Sequence, residues 1–567
     1  MNTPASRMAS RSLVVAVAAA LVVSLALSYG AYQLASYSWD QVVSYESPYD
    51  DVPAGSLRVT PDGAVARRVV VVLIDGLTAE AASRMDALDA LAARGTAIDI
   101  TVPQPSLSYP TWTTIMSGAP QQISGVTTNW YQGRVGVDTL LDVAIDAGRR
   151  TLVAGPSDVD VLFDGSRADA SAFAEWPELV HDDSTYETGT IVDDAIALDE
   201  DLAAEFAFVV FPDVDNAGHA HGAASDEYAA VVDRVDADLG RLVEALDDGE
   251  TVFCVLPDHG HIASGGHGGW ESPVIHTLGV LAGPGVAEGR VSADLEDIAP
   301  TVAVLAGLPT PAHARGTAIT GALATPGSAA VAADERHATA FAAHYVDVVS
   351  GMTVTPGTLD EARTTMAEAD ETRLAEERAG RLWMLLGAIA LLIAVVAAIA
   401  LLSWRALVAV ASGVLTYAMV YNALFFLVHG YRWSLSAFND ESMIQAFFNG
   451  RMAEAVLAGA LGCLVAAFVY PALRSRPRGV REGFGREWIA LGVATALGIQ
   501  ATLAVQVGWF LYRWGADVAW HLPDFRAGFK YDLDLIQLAA LGAVAIIGPV
   551  VTYLVGRLHP ALRRPAA

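Results

Sequence analysis

Three apolar runs in this chain each end in acid. Asp75 follows VVVVLI, Asp213 and Asp215 follow FVVFP, and Asp258 follows TVFCVLP. Histidines come close behind. His219 lies four residues after Asp215 in DNAGH, His259 adjoins Asp258, and His267 sits in SGGHGGW. Carboxylate oxygens and imidazole nitrogens together suit zinc or manganese. Taken singly, each has an ordinary structural explanation: a strand-end Asp can form an Asx turn, as Asp215 could, and a lone His is usually structural. Taken together, Asp75, Asp215, Asp258 and the three histidines are enough for two divalent ions. A hydroxyl is also at hand. Ser108, in PSLSYPTWTTIMSG, precedes Tyr109-Pro110 and a helix-like segment from Thr111 to Ser117. Proline is favoured at the first helical position, so Ser108 is expected just ahead of a helix N-terminus. Unpaired N–H groups there favour an anion. A plain N-cap is the simpler role for a lone serine, and only the Asp/His set raises Ser108 above it.

The elements that must carry these residues follow from pattern. Residues 68–76, 206–211, 251–256 and 277–282 read as strands, the first three as continuous apolar runs of buried parallel type. A helix is expected over 78–94. Another over 226–247 has an apolar stripe of Val231, Val235, Leu239, Leu242 and Leu246, and a short one covers 300–306. Strand–helix–strand order implies a mostly parallel sheet covered on both faces.

The chain is too apolar to be only that domain. Of 567 residues 53% are hydrophobic, and mean hydropathy is +0.38. Stretches at about 12–35, 382–403, 406–428, 453–473, 488–511 and 535–556 are long enough to span a bilayer. The first follows Arg7 and Arg11 and is followed by Tyr37 and Trp39 as interface aromatics; an uncleaved signal anchor is favoured over a cleaved signal peptide. The net charge is −30, with the excess acid in residues 36–380 between basic, apolar ends. Such a domain lacks a face for nucleic acid. Arginines cluster in 474–487 and the tail, acids in the loops 430–452 and 512–534, including Asp440 and Glu441. The positive-inside rule then puts both termini in the cytoplasm and residues 36–380 outside, in a multi-pass protein of the cell membrane. Cys254 and Cys463 are read as small core residues, not a disulfide. The expected division is 1–36, cytoplasmic N-terminus and anchor; 37–327, catalytic domain; 328–380, helical connector; and 381–567, five membrane helices.

The motifs resemble the alkaline phosphatase superfamily, in its type I phosphodiesterase/nucleotide pyrophosphatase branch. That branch has a strand-end Asp, a Thr or Ser nucleophile in T-x-P, then D-x-x-G-H and D-H-G. Here these are Asp75, SYP at 108–110, DNAGH at 215–219 and DHG at 258–260. DNAGHAHG and DHGHIASGGHGG also resemble the glycolipid-anchor ethanolamine-phosphate transferases. The resemblance implies an alkaline-phosphatase-like three-layer α/β/α sandwich. It implies two divalent ions, Zn2+ before Mn2+, one held by Asp215, His219 and His267 and the other by Asp75, Ser108, Asp258 and His259. It also implies that Ser108 is the nucleophile and that Asn129 holds phosphate. Thr111 stands where many relatives have Asn. A sulfatase would need Arg at the position of Trp112. The implied activity is a membrane-bound phosphodiesterase working through a phospho-serine. The alternatives are transfer of a phosphoethanolamine-type head-group to a glycan or lipid, and an inactive domain on a transport or scaffold module. The implied partners are membrane lipids and a phosphodiester substrate, either a phospholipid or a lipid-linked glycan. Asn422, Gln500 and Gln506 are expected to bond between helices. Trp270 and Glu271 either line an acceptor side or pack. The oligomeric state is left open.

Overall fold

A computed structural model describes residues 4–49, 57–59, 65–174, 186–438, 443–473 and 484–558. Asp440, Glu441, the arginines of 474–483 and those at 563 and 564 lie outside this set, as do the side chains of Arg7 and Arg11.

One sheet organises the catalytic part. Its strands are β1 (Arg68–Ile74), β2 (Gly95–Thr101), β3 (Thr151–Pro156), β4 (Ala170–Ala174), β5 (Phe206–Phe211), β6 (Thr251–Pro257), β7 (His276–Ala282) and β8 (Gly289–Asp294). The order across the sheet is β4-β3-β5-β1-β6-β7-β2-β8, and only β7 runs against its neighbours. β1 is central because both faces are apolar. Val69, Val71 and Leu73 join one core, Val70, Val72 and Ile74 the other. The first core is closed by Trp112, Ile115 and Met116 and by Val302 and Leu305. The second is closed by the stripe from Val231 to Leu246. The result is three layers, with a mostly parallel sheet in the middle. Four strands, β2, β3, β4 and β8, were not legible in the sequence. β4 and β8 are the edge strands and are half-exposed, β2 mixes Asp99 and threonines with its apolar residues, and β3 ends in Gly155-Pro156. The expected helix over 78–94 is two short helices, Ala79–Ala82 and Asp86–Ala92, separated at Ser83–Met85.

Nine helices matter for the site and the membrane. They are α1 (Pro4–Val43), α2 (Ser108–Ser117), α3 (Asp213–His221), α4 (Asp226–Leu246), α5 (Leu359–Leu402), α6 (Trp404–Asn422), α7 (Ile444–Ala472), α8 (Phe484–Arg513) and α9 (Phe525–Leu558). Among the described residues six helices are long and apolar enough to cross a membrane: α1 and α5 to α9. The protein is therefore a multi-pass membrane protein. α5 runs unbroken from the acidic connector into the bilayer, with no interruption near residue 380.

α1 packs on α8 and α9. Gln500 on α8 accepts from the Ser24 hydroxyl and donates to Ser28 Oγ at 2.9 Å and to the Ser24 carbonyl at 3.1 Å. Gln506 accepts from Lys530 Nζ at 2.7 Å. Among the described residues Asn422 bonds within its own helix, to the Ala418 carbonyl. Replacing Gln500→Leu leaves two serine hydroxyls of α1 short of a partner. We expect a loss of about 1–2 kcal/mol, read as a lower denaturation midpoint of the purified protein in detergent.

Candidate active site

β5, β1 and β6 are adjacent and parallel, so their carboxyl ends line up. Ligand sites in open α/β sheets form there. β1 delivers Asp75 and β6 delivers Asp258 and His259. β5 leads into α3, where Asp215 and His219 lie four apart and share a face. His267 comes from the glycine-rich loop after β6, with its Nδ1 3.0 Å from the Ser106 carbonyl.

Two groups result. In the first, His219 Nε2 lies 3.3 Å from Asp215 Oδ2 and 3.1 Å from His267 Nε2. In the second, His259 Nε2 lies 3.3 Å from Asp258 Oδ2, 3.4 Å from Asp75 Oδ1 and 3.4 Å from Ser108 Oγ. The His259 and His267 rings stack between the groups at 3.9 Å. A tetrahedral zinc ion with ligands about 2.0 Å away holds them about 3.3 Å apart, so these spacings fit a metal. Asp75 Oδ1 is buried and accepts no hydrogen bond among the described residues. Burial, then the Asp258 and Asp215 carboxylates, push Asp75 well above the usual range. Asp215 is also pushed up by burial, but His219, His261 and His267 outweigh that and hold it well below. Burial lowers His267, and His259 adds to the effect. These carboxylates and imidazoles form clusters that could hold a metal ion.

Ser108 is the first residue of α2, not the one ahead of it. Thr111 N–H already bonds to the Leu107 carbonyl, and Leu107 is the N-cap. Pro110 is then the third helical residue, which costs nothing because the first turn's N–H groups lack intrahelical partners. The anion-favouring end of the helix is therefore at Ser108 itself. Asn129 accepts from Tyr109 N–H through Oδ1 at 3.1 Å and lines the same cavity as Ser108. Thr111 and Trp112 both serve Asp258 Oδ2, Thr111 Oγ1 donating at 3.2 Å and Trp112 Nε1 at 3.0 Å.

Asp213 is not in the site. Its carboxylate accepts from the N–H groups of Glu187 and Thr188, holding the start of the helix Thr188–Leu202. His261 is in it, and the sequence reading passed over it. Its Nε2 donates to Asp215 Oδ1 at 2.8 Å, and burial brings it down to about 4, so it is neutral at physiological pH. The available signal was its place two residues after His259 in DHGH. His261 also accounts for Gly218: a Cβ there would lie 2.5 Å from His261 Nε2.

The cavity over Ser108 measures about 570 Å3. One wall is catalytic: Asp75, Ser108, Tyr109, Asn129, Trp130, Asp158, Asp215, His219 and His267. The other comes from one end of the membrane helices and their loops. Trp39 and Val42 of α1, Leu435 and Phe438, Phe448 of α7, and Phe525 and Phe529 of α9 all line it. Trp39 meets Trp130 edge to face at 5.3 Å, so this expected interface aromatic instead packs on the catalytic domain.

Residues 69–271 match the family model for type I phosphodiesterase / nucleotide pyrophosphatase. The chain is 27% identical over 206 residues to GPI ethanolamine phosphate transferase 1 of Aspergillus oryzae, covering 33% of this chain and 20% of that protein. It is 25% identical over 210 residues to the Yarrowia lipolytica protein of the same name, covering 32% and 22%. The match thus spans about a fifth of the length of these relatives. A crystallised alkaline phosphatase variant is similar at 12% identity and TM-score 0.40, over 46% of this chain and 100% of that one. Residues 69–271 are thus similar to type I phosphodiesterases / nucleotide pyrophosphatases. Gly218→Ala should push His261 off Asp215. We expect a lower melting temperature, with β1 and β6 still protected in hydrogen exchange.

Proposed function

We propose that this protein cleaves a lipid-linked phosphodiester at the outer surface of a membrane, through a phospho-serine on Ser108. The observation that carries the reading is the composite cavity, whose Ser108 wall faces one lined mainly by apolar side chains of α1, α7 and α9, with Ser38 and Asp532 among them. A polar phosphodiester fits the first and the start of an acyl or prenyl chain fits the second.

Asp215, His219 and His267 would hold one divalent ion and Asp75, Ser108, Asp258 and His259 the other, most readily Zn2+. Such ions would lower the pKa of the Ser108 hydroxyl and neutralise charge on the phosphoryl group. The chain supplies the rest. Ser108 Oγ bonds to phosphorus while the bond to the leaving alcohol breaks. Asn129, its Oδ1 fixed by Tyr109, turns its Nδ2 to a non-bridging oxygen. Thr111 and Trp112 fix Asp258, and His261 fixes Asp215. Water or an acceptor hydroxyl then takes the phosphoryl group from Ser108.

A second reading, transfer of an ethanolamine-phosphate-type group, is supported by the other side chains of the cavity. Asp158 and the rings of Trp39 and Trp130 suit an ammonium, and no Lys or Arg lines the cavity among the described residues. Both readings put residues 37–327 outside the cytoplasm and both termini inside, as the charge of the loops requires.

Purified protein incubated with labelled phospholipid vesicles should release the head-group, and Ser108→Ala should abolish this while keeping two metal ions by elemental analysis. Activity surviving in the variant would remove Ser108 from the role. Labelled head-group appearing on an added glycan, and not in water, decides for transfer. Asp158→Asn should then slow amine-bearing diesters roughly tenfold and spare neutral ones. A cysteine placed in 512–523 should react with an impermeant thiol reagent on intact cells, and one in 474–487 should not; the reverse overturns the orientation.

A further inference from the structure

His267 sits on a stretch, from His259 to Glu271, that has no helix or strand of its own and carries five glycines. Such a backbone holds no fixed shape unless something outside holds it. On one side the stretch is tied to the residues before the nucleophile. Ser106 Oγ donates to the Gly269 carbonyl at 3.0 Å, and the Ser106 carbonyl lies 3.0 Å from His267 Nδ1. This bond leaves Nε2 facing Asp215 and His219.

On the other side the stretch is tied to the loop between α6 and α7, which belongs to the membrane domain. Gly269 N–H donates to Ser436 Oγ at 3.1 Å. Ser436 Oγ donates in turn to Glu271 Oε2 at 2.9 Å, and Ser434 Oγ donates to the same oxygen at 2.8 Å. Trp270 Nε1 donates to the Trp433 carbonyl at 2.8 Å, beneath the Arg526 guanidinium 4.4 Å from its ring. Glu271, Ser434 and Ser436 are 8%, 2% and 2% exposed. Among the described residues, these two hydroxyls are the donors to the Glu271 carboxylate. The fit is tight: a Cβ on Gly269 would fall on Ser434 Oγ, and one on Gly266 would lie 2.7 Å from the Ser436 and Phe438 carbonyl oxygens. Glu271 and Trp270 therefore face the membrane domain, where the sequence left open an acceptor side.

We propose that Ser434 and Ser436 are positioning residues for His267, so that the membrane domain sets the affinity of the Asp215/His219/His267 group for its ion. This rests on the two-metal reading above. A buried carboxylate that loses its donors seeks water, and the loop would follow it, carrying His267 away from His219. Groups that orient metal ligands through one intervening bond commonly change metal affinity by about 10- to 100-fold. The role is distinct from recruiting lipid, because it acts on the metal site whatever the substrate.

The test uses the full-length protein in detergent, with Ser434→Ala/Ser436→Ala and Glu271→Gln. In metal-free protein, amides of residues 262–271 should exchange with deuterium at least roughly tenfold faster in the double variant, while those of β1 and β6 stay unchanged. Zinc titration against a competing chelator should show one ion bound roughly tenfold or more weakly and the other as in wild type. Glu271→Gln, which keeps one acceptor oxygen, should fall between. Unchanged exchange together with two wild-type zinc affinities overturns the proposal. If the double variant exchanges fast throughout, it has unfolded, and Glu271→Gln decides by the same two readouts. Wild-type protein that takes up fewer than two zinc ions sinks the two-metal reading instead, while the exchange comparison still decides whether the serines hold the loop.

Discussion

Buried carboxylate is the constraint on which this structure turns. Asp75, Asp215 and Asp258 are all nearly inaccessible and converge at the ends of three neighbouring strands. No Lys or Arg lines the cavity over Asp75 and Asp215, among the described residues. Charge so placed is costly unless it is matched. Part of the match comes from hydrogen bonds: Gly76 N–H, His259 N–H, Thr111 and Trp112 all donate to Asp258. Asp75 Oδ1 has no such donor among the described residues. A divalent ion would satisfy the remainder, and β1, lying between β5 and β6, brings Asp75 between the other two.

The second organising fact is that the catalytic and membrane parts share walls. The cavity takes residues from α1, α7 and α9, and the stretch bearing His267 is bonded to the loop after α6. The N-terminal helix does more than fix the chain in a bilayer: Trp39 packs on Trp130, and Thr127 Oγ1 donates to the Val42 carbonyl. The cavity and the His267 stretch thus both depend on contacts with the membrane helices and their loops.

Much of this was legible in the sequence because it rests on local pattern. The apolar runs of β1, β5 and β6, the stripe of α4 and the membrane helices are periodic signals. The acids and histidines stand at fixed offsets from them. What escaped depends on contacts distant in sequence. β4 and β8 are edge strands whose partners decide their state. Asp213 and Asp215 look alike in the chain, and only the docking of Glu187 and Thr188 on Asp213 separates them. His261 was hidden because its partner, Asp215, is 46 residues away. The start of α2 was misplaced because Pro110 is equally at ease at its first or third position. The joining of Trp270 and Glu271 to Ser434 and Ser436 spans more than 160 positions and leaves no local mark.

The composite cavity also sets an order in time. Its lining runs from Ser38 at one end of the chain to Asp532 near the other. During synthesis the sheet can close once β8 has emerged, more than two hundred residues before α9 exists. For that whole interval the catalytic domain is folded on one side of the membrane with an open flank, exposing the Trp39, Phe438 and Phe448 surface as each appears. Only when α9 inserts, bringing Phe525 and Phe529, is the pocket complete. Until then the pocket over Ser108 lacks the wall that α9 supplies.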